Sequence, residues 1–155
     1  MIPKFESEGI PYFNPQVPDW NPEFAKAEAR HLANDAVICF PVTSETYGTG
    51  SLAETGFSII SAIQSNRNAK IIIYIADDVD QHLKDEDPVA AKESVRARAL
   101  VKAHLEKLDA KNVYIVESIE DMTEVAALLF KAAKYEYKAR FFIEVCKKAR
   151  KDSEE

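Results

Sequence analysis

Residues 36–42 read Ala36-Val37-Ile38-Cys39-Phe40-Pro41-Val42, and residues 71–76 read Ile71-Ile72-Ile73-Tyr74-Ile75-Ala76. Neither run alternates apolar with polar positions. A strand built from either is apolar on both of its faces, which is the pattern of a strand covered by helices from above and below. A shorter run, Val113-Tyr114-Ile115-Val116, repeats the pattern more weakly. Each run is followed by a stretch with helical character: Leu52 to about Ser65, about Ala90 to Leu108, and Ile119 to about Ala149. Strands that alternate with helices in this way pair in parallel, because the helix is the crossover. The expected fold is therefore α/β, a flavodoxin-like parallel sheet with helices on both faces and a long C-terminal helix.

The flanking sequence adds local signals. Asn21-Pro22-Glu23 joins an N-cap residue, a proline at the first helical position and an acid in the first turn, so a helix is expected from there to about Ala33. Ser118-Ile119-Glu120-Asp121 predicts a capped start for the last helix. Its stripe of Val125, Leu128, Leu129, Phe141, Phe142 and Val145 suggests that the part beyond Tyr135 outruns a small sheet and packs on another subunit. Ile10-Pro11-Tyr12-Phe13-Asn14-Pro15 suggests a short strand, and Met1–Ile10 the end of a helix closed by Gly9. A doubly wound domain normally opens with a strand, and none is legible ahead of that helix. Residues 147–155 read as a fraying polar tail.

Length and charge narrow the function. At 155 residues the chain is one domain's worth, taken as residues 1–150 with 151–155 as a tail. A formal net charge of -6 argues against general binding to nucleic acid or anionic membrane, since neutralising phosphate needs surplus Lys and Arg. No apolar run approaches a bilayer span and no secretory leader is legible, so a cytoplasmic protein is expected. Cys39 and Cys146 have neither a C-x-x-C spacing nor nearby histidines and read as structural thiols. His31, His82 and His104 make no metal spacing. The acidic stretch Asp77-Asp78-Val79-Asp80, with Asp85, Glu86 and Asp87, reads as a solvated loop, and Arg96, Arg98, Lys102 and Lys107 as a solvated helix face. No metal or cofactor is implied.

Chemistry concentrates in Thr43-Ser44-Glu45-Thr46-Tyr47-Gly48-Thr49-Gly50-Ser51, the loop that should lie at the carboxyl end of the first strand, where parallel sheets meet ligands. Gly48 and Gly50 would let backbone approach a ligand closely, and the helix start behind them favours a negative group. Glu54 has two readings. Ser51-Leu52-Ala53-Glu54 is a capping-box pattern in which Glu54 serves the helix alone. Alternatively Glu54, kept ionised by the helix N-terminus, is a fixed carboxylate able to attack an anomeric carbon.

Taken together, Tyr12-Phe13-Asn14-Pro15, Val17-Pro18-Asp19-Trp20, Asn34-Asp35-Ala36-Val37 and Gly48-Thr49-Gly50-Ser51-Leu52-Ala53-Glu54-Thr55-Gly56-Phe57-Ser58 resemble the nucleoside 2-deoxyribosyltransferase-like proteins, over roughly residues 2–116. The resemblance implies that Glu54 is the nucleophile that takes a 2-deoxyribosyl group from a nucleoside and passes it to another base. It implies ligand contacts from Asn14, Asp19, Trp20 and Glu28, beside Tyr47, Gly48, Gly50 and Ser51. The better-known transferases carry an aspartate six residues before the nucleophile, a position that is Gly48 here. They also begin with a strand and a glycine-containing loop not seen in this sequence, and they end in a carboxylate that reaches a neighbour's site. Three expectations follow: an N-glycosidic bond enzyme acting by 2-deoxyribosyl transfer or hydrolysis, a nucleotide-binding module of the same fold without catalysis, or an oligomerising structural protein. The expected partners are a small nucleoside or nucleotide and further copies of the chain.

Overall fold

The computed structural model describes residues 1–16, 21–48, 52, 62–66, 68–107 and 110–151. Its elements are α1 (Ile2–Ser7), α2 (Pro22–Asn34), β1 (Val37–Val42), β2 (Lys70–Ile75), α3 (Gln81–Glu86), α4 (Pro88–Leu105), β3 (Val113–Val116) and α5 (Ile119–Lys151), with residues 62–65 also helical. The strands form one parallel sheet in the order β1-β2-β3, with Ile38 beside Ile71 and Ile73 beside Ile115. The fold is the α/β, flavodoxin-like arrangement that the sequence predicts, and among the described residues no strand precedes β1.

The central strand explains why the apolar runs are unbroken. Ile71, Ile72 and Ile73 are each 0% exposed. Successive side chains point to opposite faces, so Ile71, Ile73 and Ile75 join Ile38, Val42, Leu52, Ala62 and Leu105 on one face, where Leu32 of α2 and Val101 of α4 complete the layer. Ile72 points the other way, into Phe5, Ile10, Met122, Ala126 and Ala127 from α1 and α5. Full burial of each such side chain contributes about 1.5–3 kcal/mol. Helices thus cover both faces, and the fully buried stretch Ile71–Ile73 between them is wholly apolar, with Lys70 at the strand's less buried start.

Pro41 sits in β1 without breaking it. The carbonyls of Ala36 and Val42 accept from Lys70 and Ala76, so even-numbered residues of β1 bond to β2 and the nitrogen of Pro41 faces the open edge, where no donor is required. Strand ends and helix ends are equally explicable. Asn21 Oδ1 accepts from the Glu23 N–H at 2.9 Å, and Ser118 Oγ accepts from the Asp121 N–H at 2.9 Å. Gly9, at φ 63°, closes α1 with its N–H on the Glu6 carbonyl, while Ile10 N–H reaches the Phe5 carbonyl and the two side chains share the core.

Several expectations are corrected. Residues 10–15 form no strand. Pro11 and Pro15 lack donors for a ladder, and the segment is held instead by the buried Ile10, by the Tyr12 hydroxyl on Glu6 and by Phe13, which stacks on the His31 ring at 4.0 Å. Residues 81–86 are a helix rather than a solvated loop, because Val79 and Leu83 bury against Ala91. Helix α4 starts at Pro88, two residues early, where Asp87 caps it through Val89 and Ala90. Arg98, expected on a wet face, is 0% exposed. Residues 147–151 continue α5 instead of fraying. That 33-residue helix is about 50 Å long at 1.5 Å per residue, against about 20 Å for a six-residue strand, so only its first half can cover the sheet. No helix among the described residues is long and apolar enough to cross a membrane.

Candidate functional site

The carboxyl ends of β1 and β2 are drawn together by a single side chain. Arg98 rises from α4 and directs its fork at the loop that follows β1. Nη1 donates to the carbonyls of Val42 at 3.3 Å and Ala76 at 3.1 Å, the last residue of β1 and the first residue past β2. Nη2 donates to the carbonyls of Thr43 at 3.0 Å and Thr46 at 2.6 Å, and Nε to Ser94 Oγ at 3.1 Å. A guanidinium has five N–H groups in a fixed fork, and here five acceptors meet it. The Ser94 hydroxyl in turn donates a hydrogen bond to the Tyr47 carbonyl at 2.6 Å, which extends the brace one residue further along the loop.

Burial draws the Arg98 pKa down from its usual value, while the Asp78 charge opposes that shift. The guanidinium nonetheless remains protonated, as its intrinsic basicity ensures. Asp78 itself is held below the usual carboxylate range by the Lys84 ammonium, by the Val79 N–H and by the Arg98 charge. Asp77 is engaged by Lys102. The two acids that follow β2 are therefore spoken for by lysines, and among the described residues no group of acids, histidines or cysteines is arranged to hold a metal.

Gly48 ends the braced loop at φ 63°, in the left-handed region that glycine favours. A Cβ there would stand 2.8 Å from Val42 Cγ1 and 3.3 Å from Arg98 Nη2. The space left by the missing side chain is thus filled by the protein's own strand end and guanidinium, and an aspartate does not fit this position in this structure. Behind it, the Leu52 N–H donates to the Gly48 carbonyl at 2.7 Å, and the Leu52 side chain is anchored in the core.

Of the remaining candidates, Tyr47 packs on Val79, Leu83 and Ala91 and donates its hydroxyl to the Leu83 carbonyl at 2.8 Å. Asn14 is exposed in the proline-flanked segment, its Oδ1 accepting from the Gln16 N–H, and Glu28 is half-buried on α2. The structure therefore brings Tyr47 and Gly48 together at one loop, with Asn14 and Glu28 on other elements. Glu54, Asp19, Trp20, Gly50 and Ser51 lie outside the described residues. Asp35 ends α2, its carboxylate 3.0 Å from His31 Nδ1, as a helix-to-strand turn residue. Burial pushes the Cys39 thiol up to about 12, which makes it a poor nucleophile.

Arg98 is the residue that sequence reasoning missed. Its signal was spacing: Ala91, Ser94, Arg98 and Leu105 are the buried positions of α4, and Val101 packs between them, a 3-4-3-4 stripe with a cation inside it. Compared with known protein families, curated proteins and solved structures, the chain finds no match.

Proposed function

We propose that this protein binds a nucleoside or nucleotide at the carboxyl ends of β1 and β2 and cleaves its N-glycosidic bond through Glu54. The observation that carries the reading is the bond from Leu52 N–H to the Gly48 carbonyl. It ties the helical Leu52 back to Gly48 just past the end of a parallel strand, the place where such sheets bind ligands, and Glu54 follows two residues later in the chain. The Arg98 brace favours the same conclusion, because catalysis by a fixed carboxylate needs a loop held in one geometry.

In the proposed reaction a Glu54 carboxylate oxygen bonds to the anomeric carbon while the carbon–nitrogen bond breaks. The base leaves with the bonding pair and takes up a proton from Asp19 or solvent. The glycosyl ester is then opened by the nitrogen of a second base, giving transfer, or by water, giving hydrolysis; the attacking group gives up its proton to Asp19 or solvent, whichever supplied one before, and Glu54 is regenerated as carboxylate. Asn14, Trp20, Glu28 and the 47–51 loop would hold base and sugar.

A second reading, a binder of the same ligands without catalysis, is favoured by Gly48. The acid that the resemblance would put there is replaced by a glycine into whose space Val42 and Arg98 already project. Incubation with purine and pyrimidine deoxynucleosides plus a second free base separates the two. Base exchange or release with a glycosyl adduct by mass spectrometry, both lost in Glu54→Gln with unchanged circular dichroism, supports the enzyme. Saturable binding with no turnover and no adduct supports the binder. Neither binding nor turnover across these ligands refutes both.

A further inference from the structure

From Phe130 onward, α5 leaves the sheet with much apolar surface uncovered. Leu128, Tyr135 and Phe142 are 63%, 71% and 67% exposed. They are spaced by seven residues, and Ala132, Ala139 and Cys146 stand four residues after each of them. This 4-3-4-3 spacing, sustained over three heptads, is the a/d seam of a helix that pairs with another helix. It lies away from the sheet, since Met122, Ala126 and Phe130 occupy the core-facing side. We infer that α5 is a self-association helix and that its seam is covered by the same seam of a second copy, running antiparallel.

Two independent features choose the second copy and its direction. The first is size. One seam position carries Leu, Tyr, Phe and the other Ala, Ala, Cys. In an antiparallel pair each layer sets a large residue against a small one, whereas a parallel pair would crowd Tyr135 against Tyr135 and leave Ala139 facing Ala139. The second is charge. Residues 131–151 hold eight Lys or Arg against two Glu, in a chain whose net charge is -6, so the rest of the chain is strongly acidic. Antiparallel pairing carries each basic helix end toward the partner's acidic domain, where α5 begins with Glu120, Asp121 and Glu124. Parallel pairing would hold the two basic ends together. Ile143 and Val145, 50% and 48% exposed, flank the seam and widen the apolar surface that a second copy would cover.

Sedimentation equilibrium of the full chain tests this. A dimer at micromolar concentration, converted to monomer by Tyr135→Glu with Phe142→Glu at unchanged helix content, is the expected result. For direction, the wild-type chain under mild oxidation should form no disulfide through Cys146. Leu128→Cys or Tyr135→Cys, according to register, should cross-link to Cys146 of the second copy. A monomer at 100 μM overturns the inference, and a monomer that cosediments with phosphatidylserine vesicles assigns the face to a membrane instead. Ready Cys146–Cys146 cross-linking of the wild type overturns the antiparallel arrangement.

Discussion

Replacing Arg98 by methionine tests the physical heart of the candidate site. The side chain keeps its length and loses its five donors, so the carbonyls of Val42, Thr43, Thr46 and Ala76 and the Ser94 hydroxyl lose their partner in one step. Hydrogen bonds to a charged group are worth about 1.5–3 kcal/mol each, so five bonds give a gross loss of roughly 8–15 kcal/mol. Against this stands relief from holding a cation away from water, which is several kcal/mol for a fully buried group. A further part is recovered where water reaches the loop carbonyls. The net expectation is a loss of about 3–5 kcal/mol. That is the size seen when one partner of a buried polar network is removed, and it is a large share of the 5–15 kcal/mol typical of a domain. Urea unfolding followed by circular dichroism would read it as a midpoint lowered by roughly 2 M with the slope unchanged. Arg98→Lys, with three donors for five acceptors, should fall between. A loss under about 1 kcal/mol for Arg98→Met would refute the reasoning, because the carbonyls would then be as well served by solvent.

Gly9 and Gly48 form a matched pair, since both have φ 63° but, of these two, Gly48 alone would press a Cβ into neighbours. Gly9→Ala should cost about 1 kcal/mol from conformation alone, whereas Gly48→Ala should cost roughly 2–4 kcal/mol because Val42 must move. Equal costs by urea denaturation would show that the Val42 contact is not a constraint. Asp78 gives a pH signature: its folded pKa lies below the unfolded value near 3.9, so its contribution is present above about pH 4 and is lost as pH falls through the lower folded value. Asp78→Asn should therefore lower the unfolding midpoint at pH 7, and the gap from wild type should close as the pH is taken down through the lowered folded value. A gap that persists there would mean that Asp78 acts by shape instead of charge.

The sequence by itself determined the layered architecture. Ile71-Ile72-Ile73 is apolar at consecutive positions, and a strand with period two can bury such a run only between two layers. The helix boundaries set by Asn21, Gly9 and Ser118 were equally local, since each is decided by hydrogen bonds within a few residues. The proline-flanked segment 10–15 was misread because extended conformation was legible and the absence of a ladder partner was not. What only the tertiary structure decided is long-range: Arg98 lies 52–56 residues from the loop carbonyls of Val42, Thr43 and Thr46, and nothing in its neighbours states that four strand-end and loop carbonyls converge on it. Gly48 belongs to the same class. As part of a glycine-x-glycine string it reads as room for a ligand, but the fold brings Val42 and a guanidinium into that room. A positive φ and a nearby cation are properties of where the chain has returned to, so they become visible only once β1, β2 and α4 are in contact.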